Sequence, residues 1–319
     1  IGIGTGFSTF IPCFNPIDII NAIKMKLDNK SISNIEFIPY YRGFIGKIEK
    51  HEINDKIGYK TYGVYKILSL TKIFISEFVS DARGKAMSVL GADVVKVKGN
   101  YEKSLMECIK QSTENNWQIV QDVAWKDYMI VPKYTMAGYT VMMKEIADQI
   151  QEEKITHIIL QAGVGGMAAA MVAGIARYLN HIPVIIVVEP DSAACVMESI
   201  KTGKIEKIDI KRESLMGGMS CGEVSLVPWE ILKNSVKHCI SLPDDDIAKT
   251  MKLLGNSSFS DDKIIAGENS APGVISLITS CEDQAIKEKL DLNEKSNVLV
   301  FGCEGDTDQE MYQKLINQN

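Results

Sequence analysis

The stretch from His157 to Val188 limits the possible folds more than any other part of the chain. A short apolar run, His157-Ile158-Ile159-Leu160, leads into Gly163, Gly165 and Gly166. An Ala- and Met-rich segment at helical spacing follows, and Val184-Ile185-Ile186-Val187-Val188 closes the unit. This order predicts strand, glycine turn, helix and a second strand, which is a βαβ crossover. The glycines fall at the helix N-terminus, where free backbone N–H groups and the positive dipole end favour a phosphate. Their spacing is neither the dinucleotide fingerprint nor a nucleoside-triphosphate P-loop. A turn that binds nothing stays open as the alternative reading of the loop alone.

The same alternation extends to both sides. Ile73 to Phe78 predicts a strand, Asp81 to Leu90 a helix stopped by Gly91, and Asp93 to Val97 another strand. Asn100 caps a helix that runs to about Asn115, and Gln118 to Val123 predicts a further strand. Tyr134 to Glu152 reads as an amphipathic helix with Met136, Tyr139, Met143, Ile146 and Ile150 inward. Asn297 to Phe301 is the last expected strand. Ahead of this region, Tyr62, Val64, Tyr65, Ile67 and Leu68 suit a helix starting near Thr61, and residues 1–56 are poorly patterned. Alternating strands and helices imply an α/β fold with doubly wound, mostly parallel sheets. Ligands in such sheets lie beyond the carboxyl ends of the strands. The loops at 122–128, 163–167 and 303–306 are therefore expected to line one crevice.

Composition narrows the partners. With 45% hydrophobic and 24% charged residues, the chain has the make-up of a globular protein. The net charge of −6 and scattered basic residues give no footprint for nucleic acid or an anionic membrane. The apolar run from Met167 to Ala176 is too short to span a bilayer. Seven cysteines without a CxxC pair, and four dispersed histidines, argue against zinc and for reduced thiols in a cytoplasmic protein.

Several short segments stand in order around the glycine loop. They are Ile119 to Trp125, Val188-Glu189-Pro190-Asp191, Gly218-Met219-Ser220-Cys221-Gly222-Glu223 and Cys303-Glu304-Gly305-Asp306-Thr307-Asp308. Together with 163–167 they resemble diaminopropionate ammonia-lyase, a pyridoxal-phosphate (PLP) enzyme of the tryptophan-synthase-β-like fold (fold type II). The resemblance is in register from about residue 79 to the C-terminus, weak at 46–70 and absent at 1–45. It implies two interleaved lobes, a large one from 1–63 plus 148–319 and a reduced small one at 64–147. It also implies an amino-acid substrate, a homodimer, and elimination of ammonia from 2,3-diaminopropionate to give pyruvate.

Site residues follow from the same resemblance. Tyr59-Lys60-Thr61-Tyr62-Gly63 is similar to the family's aromatic-Lys-x-x-Gly signature ahead of a helix, which gives Lys60 the Schiff-base role. Gly163, Val164, Gly165, Gly166 and Met167 would form the phosphate cradle, with glycines admitting close approach of the backbone. Cys303 would face the ring nitrogen, where the family has a hydroxyl. Asp122 would meet the distal ammonium or move a proton. Glu268 lies in a segment that departs from the family's pattern, and Cys221 reads as a structural cysteine.

One block of the family is missing. Between the lysine segment and Ser80 the family carries a βα unit with an Asp-Gly-Asn-His-Gly loop that cups the substrate carboxylate. Only Val64 to Val79 intervene here. The small lobe is thus expected to be truncated, and a catalytically impaired PLP-lyase-like protein is the main alternative to an active lyase. A related serine or threonine deaminase is a further one.

Overall fold

A computed structural model of the chain describes residues 22, 24, 25, 28, 30, 31, 46–53, 56–63, 71–150, 154–259 and 262–317. The chain divides into two compact units, Phe7–Leu70 and Thr71–Asn319 with Ile1–Gly6. Residues 7–63, expected in the large lobe, therefore belong to a unit of their own.

In the first unit, β1 (Gly46–Ile53) pairs antiparallel with β2 (Lys56–Gly63). Ile53 lies opposite Lys56 at the end of the paired register. Lys60 sits within β2, opposite Glu49. This corrects the expected helix start near Thr61, since Thr61 to Gly63 complete the strand. The local chemistry explains the correction. Ile57, Tyr59, Thr61 and Tyr62 are β-branched or aromatic residues that favour a pleated backbone. The rest of the expected helix, 64–70, lies outside the described residues.

The larger unit holds two parallel sheets. β3 (Lys72–Ser76) and β4 (Asp93–Val97) pair with each other and are joined through α1 (Asp81–Val89). Ser80 caps α1 by accepting from the Arg83 N–H at 3.3 Å. Asn100 caps α2 (Tyr101–Asn115) by accepting from the Lys103 N–H at 3.2 Å. The expected strand over Gln118–Val123 does not form, and Val120 is largely exposed. Instead the phenol of Tyr128 donates to the Ile119 carbonyl and accepts from the Gln121 N–H, both at 3.0 Å. That phenol occupies backbone groups a sheet would need.

After α3 (Ile130–Ile150) comes the main sheet, built from β5 (His157–Gln161), β6 (Val184–Pro190), β7 (His238–Leu242) and β8 (Val298–Val300). Its order is β7-β6-β5-β8, all parallel. The helices are α4 (Gly166–Tyr178), α5 (Cys195–Thr202), α6 (Leu226–Ser235), α7 (Ile247–Gly255), α8 (Ala271–Glu282), α9 (Gln284–Lys289) and α10 (Gln309–Ile316). Ile158, Leu160, Ile185 and Val187 pack on one face with Met143, Met171 and Leu232. Ile159, Ile186 and Val188 pack on the other with Ile247, Met251 and Ile275. Burial on both faces is why β5 and β6 are continuous apolar runs. A Cβ on Gly174 would lie 2.5 Å from that of Met143, so α3 and α4 touch at a residue without a side chain.

Glu189, in the sequence segment shared with the resembled family, is fully buried at the end of β6. Its two oxygens accept from the Val196 and Met197 N–H groups at 2.8 Å each, at the start of α5. Burial nevertheless pushes its carboxyl up to about 7. Its role is to hold α5.

Candidate active site

The site lies beyond the carboxyl end of β5. The chain leaves Gln161, turns through Gly165 at φ +89°, and enters α4 at Gly166 with no side chain capping that end. The anion-favouring first turn of the helix is thus left to a ligand or solvent. The glycines have separate duties. A Cβ on Gly163 would lie 3.1 Å from the Cys221 sulfur and from the Gly218 carbonyl. A Cβ on Gly165 would meet Leu232 Cδ1 at 2.9 Å and Pro228 Cβ at 3.2 Å, both on α6. A Cβ on Gly166 would meet only Asp122 Oδ2, at 3.7 Å. Gly165 is therefore required by the turn and by packing. Gly166 faces the open side.

Beside this helix end is a cavity of about 600 Å³, walled by Ser76, Arg83, Tyr101, Asp122, Val164 and Cys221, with the 213–220 loop. Asp122 is held there by its own loop. Its N–H donates to Gln121 Oε1 at 2.7 Å, Trp125 stacks on Tyr128 at 4.2 Å, and the Ala124 N–H donates to Ser225 Oγ at 2.7 Å. Burial raises the Asp122 pKa, opposed by the N–H groups of Asp122 and Val123. Burial pushes the Cys221 thiol up to about 12 and the Tyr101 phenol further up, so both keep their protons. A neutral buried thiol is no nucleophile, in keeping with a structural Cys221.

The C-terminal turn is tied to the same region. Cys303 is exposed, and its sulfur lies 3.2 Å from Met167 Sδ, so the expected ring-nitrogen partner and the last residue of the glycine loop stand side by side. Glu304 Oε2 accepts from the Asn269 N–H and amide at 3.1 and 2.6 Å, and Ser270 Oγ accepts from the Glu304 N–H at 2.8 Å. Arg83 Nη2 bridges Glu268 at 2.6 Å and Glu304 at 2.5 Å. One guanidinium thus clamps α1 to two loops that lie 185 and 221 residues further along the chain. Arg83 and Tyr101 carried no local signal in the sequence, because each gains its setting only from distant partners.

Removal of the guanidinium would leave Glu268 and Glu304 facing each other without a counterion. Burial, then the charge of Glu304, already raises the Glu268 carboxyl. Arg83→Met should therefore lower stability by about 2–3 kcal/mol at neutral pH, less than for a fully buried pair because these side chains are partly exposed. Adding Glu304→Gln should recover part of the loss. Urea melts of the two variants measure both effects. A single variant as stable as the parent would show that the clamp contributes nothing.

Residues 70–304, more than half of the chain, match the family model described as pyridoxal-phosphate dependent enzyme. The chain belongs to that family. Diaminopropionate ammonia-lyase from Escherichia coli is 34% identical over 254 residues, covering 76% of this chain and 63% of that protein. A crystal structure of the Escherichia coli enzyme with an aminoacrylate-PLP azomethine intermediate superposes with a TM-score of 0.72 at 33% identity, covering 78% of this chain and 65% of that one. The chain spans just under two thirds of these relatives. Its N-terminal part has a second likeness. Residues 1–131 match the family model for DNA gyrase/topoisomerase IV. A mitochondrial DNA topoisomerase 2 from Dictyostelium discoideum is 38% identical over 99 residues, covering 30% of this chain and 7% of that protein. The match to the pyridoxal-phosphate family begins at residue 70 and does not reach Lys60.

A family member's cofactor needs an anion cradle for its phosphate and an amine for its aldehyde. The first is met by the uncapped, glycine-lined start of α4. The second is not met by any described residue lining the cavity, for none of them is a lysine. Lys72 and Lys96, on the sheet of β3 and β4, pair with Asp93 at 3.1 Å and Asp81 at 2.7 Å. The site fits the phosphate end of the cofactor and lacks the amine end among the described residues.

Proposed function

We propose that the cavity is the site of a diaminopropionate ammonia-lyase. The overall reaction takes one 2,3-diaminopropionate and one water to one pyruvate and two ammonia, and PLP when bound supplies the electron sink for proton loss at Cα. The observation that carries the reading is the placement of Asp122. Its Oδ2 lies 3.7 Å from where a Cβ of Gly166 would stand, so a carboxylate and an anion-favouring helix end share one wall. A ligand that carries both a phosphate and an ammonium satisfies both. Asp122 would hold that distal ammonium, and its raised pKa readies it to take up a proton. The likeness to the Escherichia coli enzyme supports the choice of substrate. The six described cysteines are free, which supports a reducing, cytoplasmic setting. A homodimer completes the proposal, and no described helix is long and apolar enough to cross a membrane.

Calorimetric titration in the presence of PLP tests the substrate. A charge-assisted hydrogen bond contributes about 1.5–3 kcal/mol, so Asp122→Asn should weaken 2,3-diaminopropionate binding about ten- to hundredfold. Serine, which has no distal ammonium, should bind parent and variant alike. Equal loss for both ligands, or none for either, would remove diaminopropionate as the substrate.

A further inference from the structure

We infer that Asn269 is a positioning residue for the cavity: its carboxamide pins Gly218, in the cavity wall, to Glu304 and thereby to Arg83, and ligand binding depends on that pin. The inference rests on the reading of the cavity as the ligand site and deepens it.

Three observations carry it. First, Asn269 Oδ1 accepts from the Gly218 N–H at 3.0 Å, and its Nδ2 donates to Glu304 Oε2 at 2.6 Å. The carboxamide has only one sense, because the flipped group would set its donors against the Gly218 N–H and its oxygen against the carboxylate. Second, Glu304 Oε1 accepts from Arg83 Nη2, so a single carboxylate joins α1 to the 213–220 loop. Arg83 and Gly218 both line the cavity. Third, the contacts around Gly218 are close. A Cβ on Gly218 would lie 3.1–3.2 Å from the carboxamide atoms of Asn269, and a Cβ on Gly163 would lie 3.1 Å from the Gly218 carbonyl. Gly218 is thus held between Asn269 and the glycine turn that leads into α4. The Asn269 backbone is fixed separately, its N–H by Glu304 Oε2 at 3.1 Å and its carbonyl by Gln161 Nε2 at 3.3 Å. Truncation of the side chain should therefore free Gly218 without releasing the 267–270 loop.

The test compares whole chains of Asn269→Ala and Asn269→Asp with the parent. Amide exchange at Gly218 is read by NMR of the glycine-labelled protein, and affinity by calorimetric titration with 2,3-diaminopropionate in the presence of PLP. In Asn269→Ala the Gly218 amide should exchange faster and affinity should fall about tenfold, the worth of one hydrogen bond, with circular dichroism unchanged. In Asn269→Asp a carboxylate oxygen would face Glu304 where the amide now donates. Two carboxylates so close raise each other's pKa, so the pair takes up a proton as the pH falls and an O–H donor is restored. Arg83, Glu268 and Cys303 also face that pair, and they are common to parent and variant. The ratio of parent to variant affinity should therefore be largest near about pH 8 and approach one near about pH 5. Unchanged Gly218 exchange in Asn269→Ala would overturn the pin. Faster exchange with unchanged affinity, or a ratio indifferent to pH, would overturn the positioning role while the site reading stands. A parent that binds no diaminopropionate would remove the site reading and the ligand role of Asn269 together.

Discussion

Given 2,3-diaminopropionate and added PLP, the purified 319-residue chain should release pyruvate at least about a thousandfold more slowly than the Escherichia coli enzyme. A positioned group that moves protons contributes roughly 10²–10⁴ in rate, and loss of a covalent anchor adds to that. None of the described residues of the cavity wall is a lysine. The resembled family's Asp-Gly-Asn-His-Gly loop, which would hold the substrate carboxylate, is missing as well. A coupled lactate dehydrogenase assay reads pyruvate directly. Turnover within tenfold of the Escherichia coli enzyme would mean that residues outside the described cavity wall supply both the amine and a site for the substrate carboxylate.

The sequence was legible where local pattern and long-range setting agree. β5, the glycine turn, α4 and β6 read directly, since two apolar runs and a glycine cluster permit few other arrangements. The Asn100 cap of α2 was equally plain, because a cap is decided within four residues. Gln118–Val123 misled because Ile119 and Val120 favour a strand, while the phenol of Tyr128 takes the local backbone groups instead. The segment after Lys60, expected to start a helix, misled for a different reason. A short aromatic-Lys-x-x-Gly match says little about helix or strand, and the β-forming residues around it prevailed. Arg83 was illegible in principle: nothing near Ser80-Asp81-Ala82-Arg83 announces partners at Glu268 and Glu304. Within the candidate site, Val164 and Asp122 line one cavity, and Gly166 lies beside Asp122.

Among substitutions in the glycine loop, Gly165→Val should cost the most stability. Its φ of +89° lies where a β-branched residue is strained, at a cost of order 1–3 kcal/mol. Its Cβ would also come 2.9 Å from Leu232 Cδ1 and 3.2 Å from Pro228 Cβ. Leu232 is fully buried, so it has nowhere to retreat, and overpacking of this kind costs about 1–3 kcal/mol more. The sum, roughly 2–6 kcal/mol, is a large part of the 5–15 kcal/mol that holds a typical domain folded. Gly166→Val, one residue on, has room for its Cβ and ordinary helical geometry, so it should cost less than about 1 kcal/mol. Adjacent glycines therefore separate two properties: stability is lost at 165, and anion binding is lost at 166. Urea denaturation midpoints of the two variants, set beside their affinity for PLP, make the comparison. A Gly165→Val protein with an unchanged midpoint would show that α6 yields to the added side chain, and the packing role assigned to Gly165 would be wrong.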